Sequence, residues 1–185
     1  MKRGIWLIVF VLFMSGCAFG TRRPTLNYTV VLPAASQNNI TVKVAEFKDD
    51  RTWSKEKVGD VKNMYGMRCA DIVPQNSVTG WVTDALKKEL SNAGYTVTDE
   101  KASSSIEGAV LEVYTDAVWN YGGRVRLNVT LKKDGKEILF REYKAQEICG
   151  VNWAATAKSY GKSLETALQG VMKQVIPDIN TALNK

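Results

Sequence analysis

The stretch Gly123-Arg124-Val125-Arg126-Leu127-Asn128-Val129-Thr130-Leu131-Lys132 decides the fold. Val125, Leu127, Val129 and Leu131 alternate strictly with Arg124, Arg126, Asn128 and Thr130. A period of two places all four apolar side chains on one face of a strand and the polar ones on the other. Such a strand suits an antiparallel sheet covered on one side and wet on the other. Just downstream, Asp134-Gly135 carries a strong hairpin signal, because a type I′ turn needs positive φ at both central residues. Lys136 to Cys149 then reads as the next strand, with Ile138, Phe140, Tyr143 and Ala145 as its apolar positions. Upstream, Ser105 to Asn120 reads as a long strand carrying Ile106, Ala109 or Val110, Leu111, Val113 and Val118. Between these strands, Trp119-Asn120-Tyr121-Gly122-Gly123 is expected to form an aromatic hairpin tip.

Two amphipathic helices flank this meander. Asn76 to Gly94 places Val78, Trp81, Val82, Ala85, Leu86, Leu90 and Ala93 on one stripe, with Lys87, Lys88, Glu89 and Asn92 mostly opposite. Asn76 or Ser77 supplies its N-cap, and Gly94 its left-handed stop. Ala154 to Ile176 carries Tyr160, Leu164, Leu168, Val171 and Val175, and Pro177 is expected to break or kink it. Trp153, just before it, is assigned to the core. Short strands are expected at Tyr28–Pro33, Thr41–Phe47 and Tyr95–Thr98. Thr52 to Gln75 reads as a long irregular loop, and loops of that length are often functional surfaces. The element order predicts an α+β single domain, a mixed, mostly antiparallel sheet with two long helices packed on one face.

The chain begins with Lys2 and Arg3, followed by a nearly unbroken apolar run from Gly4 to Gly16. Thirteen residues are too few for a spanning helix of about 20. They match the apolar region of a secretory signal peptide. Met14-Ser15-Gly16-Cys17 resembles the bacterial lipobox, in which cleavage precedes a cysteine that takes a diacylglyceryl group and an N-acyl chain. Met14 stands where leucine is usual. The resulting boundaries are 1–16 for the signal, 17–27 for the acylated Cys17 and a tether, and 28–185 for a periplasmic domain. Ala18, in place of the aspartate that marks inner-membrane retention, points to the outer membrane facing the periplasm. If Cys17 carries lipid, Cys69 and Cys149 remain as a candidate disulfide in an oxidising compartment.

Composition removes several functional classes. The chain has no histidine, so the commonest general base and metal ligand are missing. Its formal charge of +6 is spread among lysine–glutamate mixtures, which argues against a nucleic-acid partner. Asp49, Asp50 and Asp60 match no calcium loop, and Gly161-Lys162-Ser163 lacks the preceding glycine and strand of a phosphate loop. Asp49 and Arg51 read as a loop-ordering ion pair. No catalytic residues, metal or cofactor are expected. Trp119, Tyr121, Trp53 and Tyr65 are the candidate partner contacts, through pockets or a lipid interface.

A family resemblance gathers these features. The residues Val42-x-Val44-x-x-Phe47-x-Asp49-x-Arg51 and Val78-x-x-Trp81-Val82-x-x-Ala85-Leu86-x-x-Glu89-Leu90-x-x-Ala93-Gly94-Tyr95-x-Val97 resemble the YajG-like bacterial lipoproteins. The strand around Arg124-Val125-Arg126-Leu127 and the Asp134-Gly135 turn fit as well. The layout is similar to a wider group that includes the TolB N-terminal domain and PelC-like envelope lipoproteins. The resemblance implies a two-helix, mixed-sheet domain and no enzyme activity. The expected role is an accessory or structural subunit of an envelope complex, with an envelope protein partner and homo-oligomerisation as candidates. The alternative is a lipid- or glycan-binding component of an envelope transport system. The membrane partner is lipid, through Cys17.

Overall fold

The structure, a computed structural model, describes residues 20–63, 65–118, 120–151 and 155–184. One mixed sheet of eight strands carries two helices on one face. The strands are β1 (Thr41–Val44), β2 (Lys48–Asp49), β3 (Gly59–Lys62), β4 (Arg68–Ile72), β5 (Thr96–Thr98), β6 (Ser104–Ala117), β7 (Asn120–Lys133) and β8 (Lys136–Val151). The helices are α1 (Val78–Asn92) and α2 (Ala157–Leu183). The architecture is α+β.

β6 is the spine. Along one edge it pairs antiparallel with β7. Along the other it takes three short parallel partners in succession: β1 at Ser104–Ile106, β2 at Ala109–Val110 and β3 at Thr115–Ala117. β5 extends the sheet beyond β1, β4 beyond β3, and β8 beyond β7. Antiparallel pairing dominates by length, and the parallel pairs are short.

The strict alternation of β7 holds. Val125, Leu127, Val129 and Leu131 are all buried, and each buried aliphatic chain of this size contributes roughly 1.5–3 kcal/mol. The β7–β8 turn has positive φ at Asp134 and Gly135, as a type I′ turn requires. β6 is less regular, because Leu111 is a bulge between Val110 and Glu112. The extra residue reverses the side-chain alternation. Ile106 and Val110 point inward before it, and Val113 and Ala117 after it. A second bulge, opposite Leu131 and Lys132, resets β8. Leu139 rather than Ile138 therefore faces the core alongside Tyr143 and Ala145, while Phe140 stands 62% exposed on the other face.

Four expected segments differ. The Thr52–Gln75 region contains the β3–β4 hairpin, whose short strands show no clean alternation. Of the expected aromatic tip, Tyr121 is already in β7, half-buried and paired with Ala117. Tyr28–Pro33 is not a strand, and 22–27 is not a free tether. Arg22 forms a parallel bridge with Ile72, Gln75 N–H donates to Pro24 O, and Leu26 is 3% exposed.

Ser77 caps α1 by accepting from Gly80 N–H at 3.1 Å. Its C-terminus closes as a Schellman motif: Gly94 N–H reaches Ser91 O and Tyr95 N–H reaches Leu90 O, with Gly94 at φ +87°. Thr156 and Ser159 form a reciprocal cap on α2. α2 does not stop at Pro177. The proline side is solvent-exposed, while Val175, Ile176, Ile179 and Leu183 remain packed on both sides of it. That continuous packing outweighs the roughly 3 kcal/mol cost of an interior proline.

Glu89 overturns its expected place on the wet face of α1: it is fully buried. Its Oε1 accepts from the Tyr28 hydroxyl at 2.6 Å and from Val31 N–H at 2.8 Å. Glu165 of α2 accepts from Thr29 N–H at 2.9 Å, and Gln169 donates to Thr29 O. Carboxylates from both helices thus latch residues 28–31 against the domain. Burial, then Glu89, pushes the Tyr28 hydroxyl far above its ordinary range, so it stays a donor. Tyr28→Phe strands part of a buried carboxylate, which costs about 1–3 kcal/mol. Thermal unfolding should show Tm falling by several degrees, and an unchanged Tm would refute the latch.

Candidate functional site

The helices leave the opposite sheet face open. There Glu112, Tyr114 and Asp116 of β6 lie beside Arg124 and Arg126 of β7. The bulge at Leu111 is what turns Tyr114 outward. Residues 50–58 fold across this face, and Arg51 holds them. Its Nε and Nη2 donate to Asp49 Oδ1 and Oδ2 at 2.9 and 2.8 Å. Nη2 also donates to Lys55 O at 2.6 Å, and Nη1 to Lys57 O at 3.0 Å. Arg51 is only 5% exposed. The hydrogen bonds from Arg51 hold the Asp49 carboxyl below the usual carboxylate range.

The pinned loop sets Trp53 edge-on to Tyr114, with centroids 4.8 Å apart and planes at 81°. Lys57 Nζ lies 5.1 Å from the Trp53 ring centre, and Arg124 Cζ 4.7 Å from that of Tyr114. A groove of about 330 Å³ opens between Trp53, Leu111, Glu112, Tyr114 and Arg124. Its rim carries loose ion pairs: Arg124–Glu112 at 3.3 Å, Arg126–Glu112 at 3.9 Å and Arg126–Glu142 at 3.8 Å. Among the described residues, the Nε–H groups of Arg124 and Arg126 find no hydrogen-bond acceptor. Exposed pairs of this kind contribute at most about 1 kcal/mol each, so the guanidinium groups are free to regroup around a ligand. Burial, then Asp116, pushes the Tyr114 hydroxyl up, keeping it a neutral donor. This is recognition chemistry: indole, phenol and guanidinium converging on one shallow groove.

A profile of the family described as uncharacterized lipoprotein matches residues 29–184. The chain belongs to this family. No curated protein matches it in sequence. The lipoprotein's fold is similar to a solved Xanthomonas campestris protein of the DUF330 family, with TM-score 0.64 and 15% identity over 89% of this chain and 97% of that one. A hypothetical protein of Chlamydia trachomatis gives TM-score 0.53 and 11% identity, over 78% and 96%. At such identities the likeness is one of fold alone. The PelC dodecamer of Paraburkholderia phytofirmans reaches only 0.40 at 10% identity, over 76% and 92%, too remote to carry an argument.

Of the residues singled out in the sequence, the lipoprotein brings Asp49, Arg51 and Trp53 to the groove. Tyr65 stands apart at the β3–β4 turn, and Tyr121 is in β7. Cys17, Trp119 and Trp153 lie outside the described residues. Asp49, Asp50 and Asp60 do not gather, since Asp60 pairs with Arg68 and Lys57. The expected Cys69–Cys149 bridge is corrected: both thiols are free. β4 and β8 are separated by β3, β6 and β7, four strand spacings or about 19 Å along the sheet. A disulfide needs Cα atoms within about 7 Å. Sequence separation alone carried no information on that distance.

Two outcomes follow for the mature lipoprotein. A Cys69→Ser, Cys149→Ser double variant should keep the wild-type Tm under non-reducing conditions, and a fall of several degrees would restore the bridge. The Asp49–Arg51 pair has its carboxylate pKa depressed, so its stabilisation is present above the unfolded value near 3.9 and is lost as pH falls through the folded value. Asp49→Asn should therefore unfold more easily than wild type at pH 7, with the two urea midpoints converging below about pH 4.

Proposed function

We propose that this lipoprotein is a non-catalytic, membrane-anchored accessory subunit of a bacterial envelope complex, and that the open sheet face is its partner-binding surface. The anchor is Cys17, acylated after removal of 1–16, on the periplasmic side of the outer membrane. The observation that carries this reading is the groove. Trp53, 48% exposed, is held in the open by an arginine that ties two loop carbonyls, Lys55 O and Lys57 O, to the Asp49 carboxylate. Its edge-on contact with Tyr114 contributes only about 0.5–1.5 kcal/mol, little return for leaving half an indole in water. Trp, Tyr and Arg at the centre of a patch are the residue types that dominate binding energy at interfaces. The two helices cover the other face, so an engaged partner would complete the second layer over the sheet.

A glycan reading rests on the same groove. A Trp–Tyr corner with guanidinium donors at its rim suits the apolar face and hydroxyls of a sugar ring.

The test uses the acylated protein in mild-detergent extracts of the envelope. Wild type should co-sediment in a particle larger than its own micelle. Trp53→Ala combined with Arg124→Ala should return it to the monomer while lowering Tm by no more than a few degrees, since Trp53 is half-exposed and the Arg124 ion pair is loose. A wild-type protein that sediments as the monomer overturns the accessory-subunit reading. Retention on an immobilised envelope glycan, lost in the same variant, would favour the glycan reading.

A further inference from the structure

The β3–β4 hairpin has an unusual tip. Asn63 Oδ1 accepts from both Tyr65 N–H and Met67 N–H at 3.0 Å, and Gly66 N–H donates to Asn63 O at 2.9 Å. Gly66 sits at φ +79°. The turn is therefore ordered by its own hydrogen bonds, yet Tyr65 is 79% and Met67 60% exposed. An ordered tip with two large apolar side chains in water marks a contact surface. It lies away from the groove, and the docking reading does not use it.

The N-terminal segment identifies the occupant. Arg22 pairs parallel to β4 at Ile72, through Arg22 N–H to Asp71 O and Val73 N–H to Arg22 O, both 2.9 Å. In a parallel pairing, going upstream from Arg22 leads the same way as going upstream from Ile72, toward the hairpin tip. Cys17 is five residues before Arg22, and Met67 is five residues before Ile72. Five residues of chain reach at most about 17 Å. The lipid on Cys17 therefore holds the bilayer surface no farther from Arg22 than the tip itself extends. The parallel pairing of β3 with β6 places the same tip beyond Ala117, at the end of the sheet that also exposes Val118 and Ile148. The β7–β8 turn lies at the opposite end of β6, about 40 Å away for a strand of this length.

We propose that the β3–β4 tip is a lipid-contacting element: Tyr65 and Met67 enter the bilayer interface and set the orientation of the domain on the membrane. This rests on the acylation of Cys17 read above. The tip adds nothing to attachment, which the acyl chains make nearly permanent. It adds orientation at little cost, because tethering turns a weak interfacial contact into an intramolecular one at millimolar effective concentration. Lys62 and Arg68 flank the tip, with their charged ends held by Asp116 and by Asp60 and Asp71, so the apolar pair Tyr65 and Met67 is what the tip presents. The opposite end, with the β7–β8 turn, then points away from the membrane.

The experiment reconstitutes the acylated Cys69→Ser, Cys149→Ser protein in vesicles of phosphatidylethanolamine and phosphatidylglycerol. A nitroxide is attached at Tyr65→Cys or Met67→Cys, and at Lys136→Cys beside the β7–β8 turn as a reference. Collision with oxygen and with a nickel chelate is measured for each. At 65 and 67 the nickel chelate should be excluded several-fold relative to 136, with oxygen access retained, the pattern of a lipid environment. Equal nickel access at all three positions overturns the proposal. So does loss of both oxygen and nickel access at the tip, which would mean a protein covers it. Mass analysis of the vesicle-bound chain separates the two readings. An acylated Cys17 with a wet tip refutes the hairpin contact alone, whereas a chain without acyl groups refutes the anchor and this proposal together.

Discussion

A carboxylate buried without a cation organises this molecule. Glu89 sits inside α1 with no exposure; its Oε1 accepts from the Tyr28 hydroxyl and the Val31 amide, while its Oε2 has no hydrogen-bond partner among the described residues. Burying such a group is expensive unless donors surround it. Those donors lie some sixty residues away in sequence, so the helix is comfortable only when the N-terminal segment is in place. Glu165 makes the same demand from α2 through Thr29. Once residues 28–31 are latched, the chain before them is committed to run beside β4. Cys17 is only five residues before Arg22 in sequence. A constraint in the helical layer would thereby set how closely the domain is held to a lipid on Cys17, the anchor proposed above.

The second constraint is β6. One strand serves three parallel partners and one long antiparallel partner, so every part of the sheet is registered against it. Its bulge at Leu111 lets the same strand pack Ile106 and Val110 early and Val113 and Ala117 late. The same event turns Tyr114 outward, beneath the loop that Arg51 pins. The packed face and the open face thus have a common cause. The helices take one side because the alternation of β7 is unbroken there. The groove exists on the other because β6 breaks step at one residue.

On the two proposals above, the surfaces would divide the work by position. The groove with Trp53 and Tyr114 lies on the open face, and the Tyr65–Met67 tip lies at the end of the sheet toward which the chain upstream of Arg22 is directed. A domain oriented by that tip would present its open face sideways, to a neighbour in the same membrane. Family membership supplies the lipoprotein class, and the geometry supplies the proposal of which face meets what.

Much of this was legible in the residues alone. The strict period of β7, the Asp134-Gly135 turn and the Ser77 and Gly94 caps are local features, governed by neighbours a few positions away. The α+β class and both helices follow from them. So does the pairing of Asp49 with Arg51, two residues apart. Glu89 was legible too, in hindsight: it falls at the helical spacing of Val78, Val82, Ala85 and Leu86, although its charge argued for the wet face. The remainder depended on contacts between distant segments. Nothing local says that Tyr28 will meet Glu89, that Pro177 will be carried through by packing on both sides, that Leu111 will bulge, or that Cys69 and Cys149 will stand four strands apart. Local propensity and periodicity determined the elements of this protein. Only the tertiary structure decided its latch, its groove and the course of residues 22–31 along the domain, because those arise from which distant segments share a surface, and chain separation does not encode distance in space.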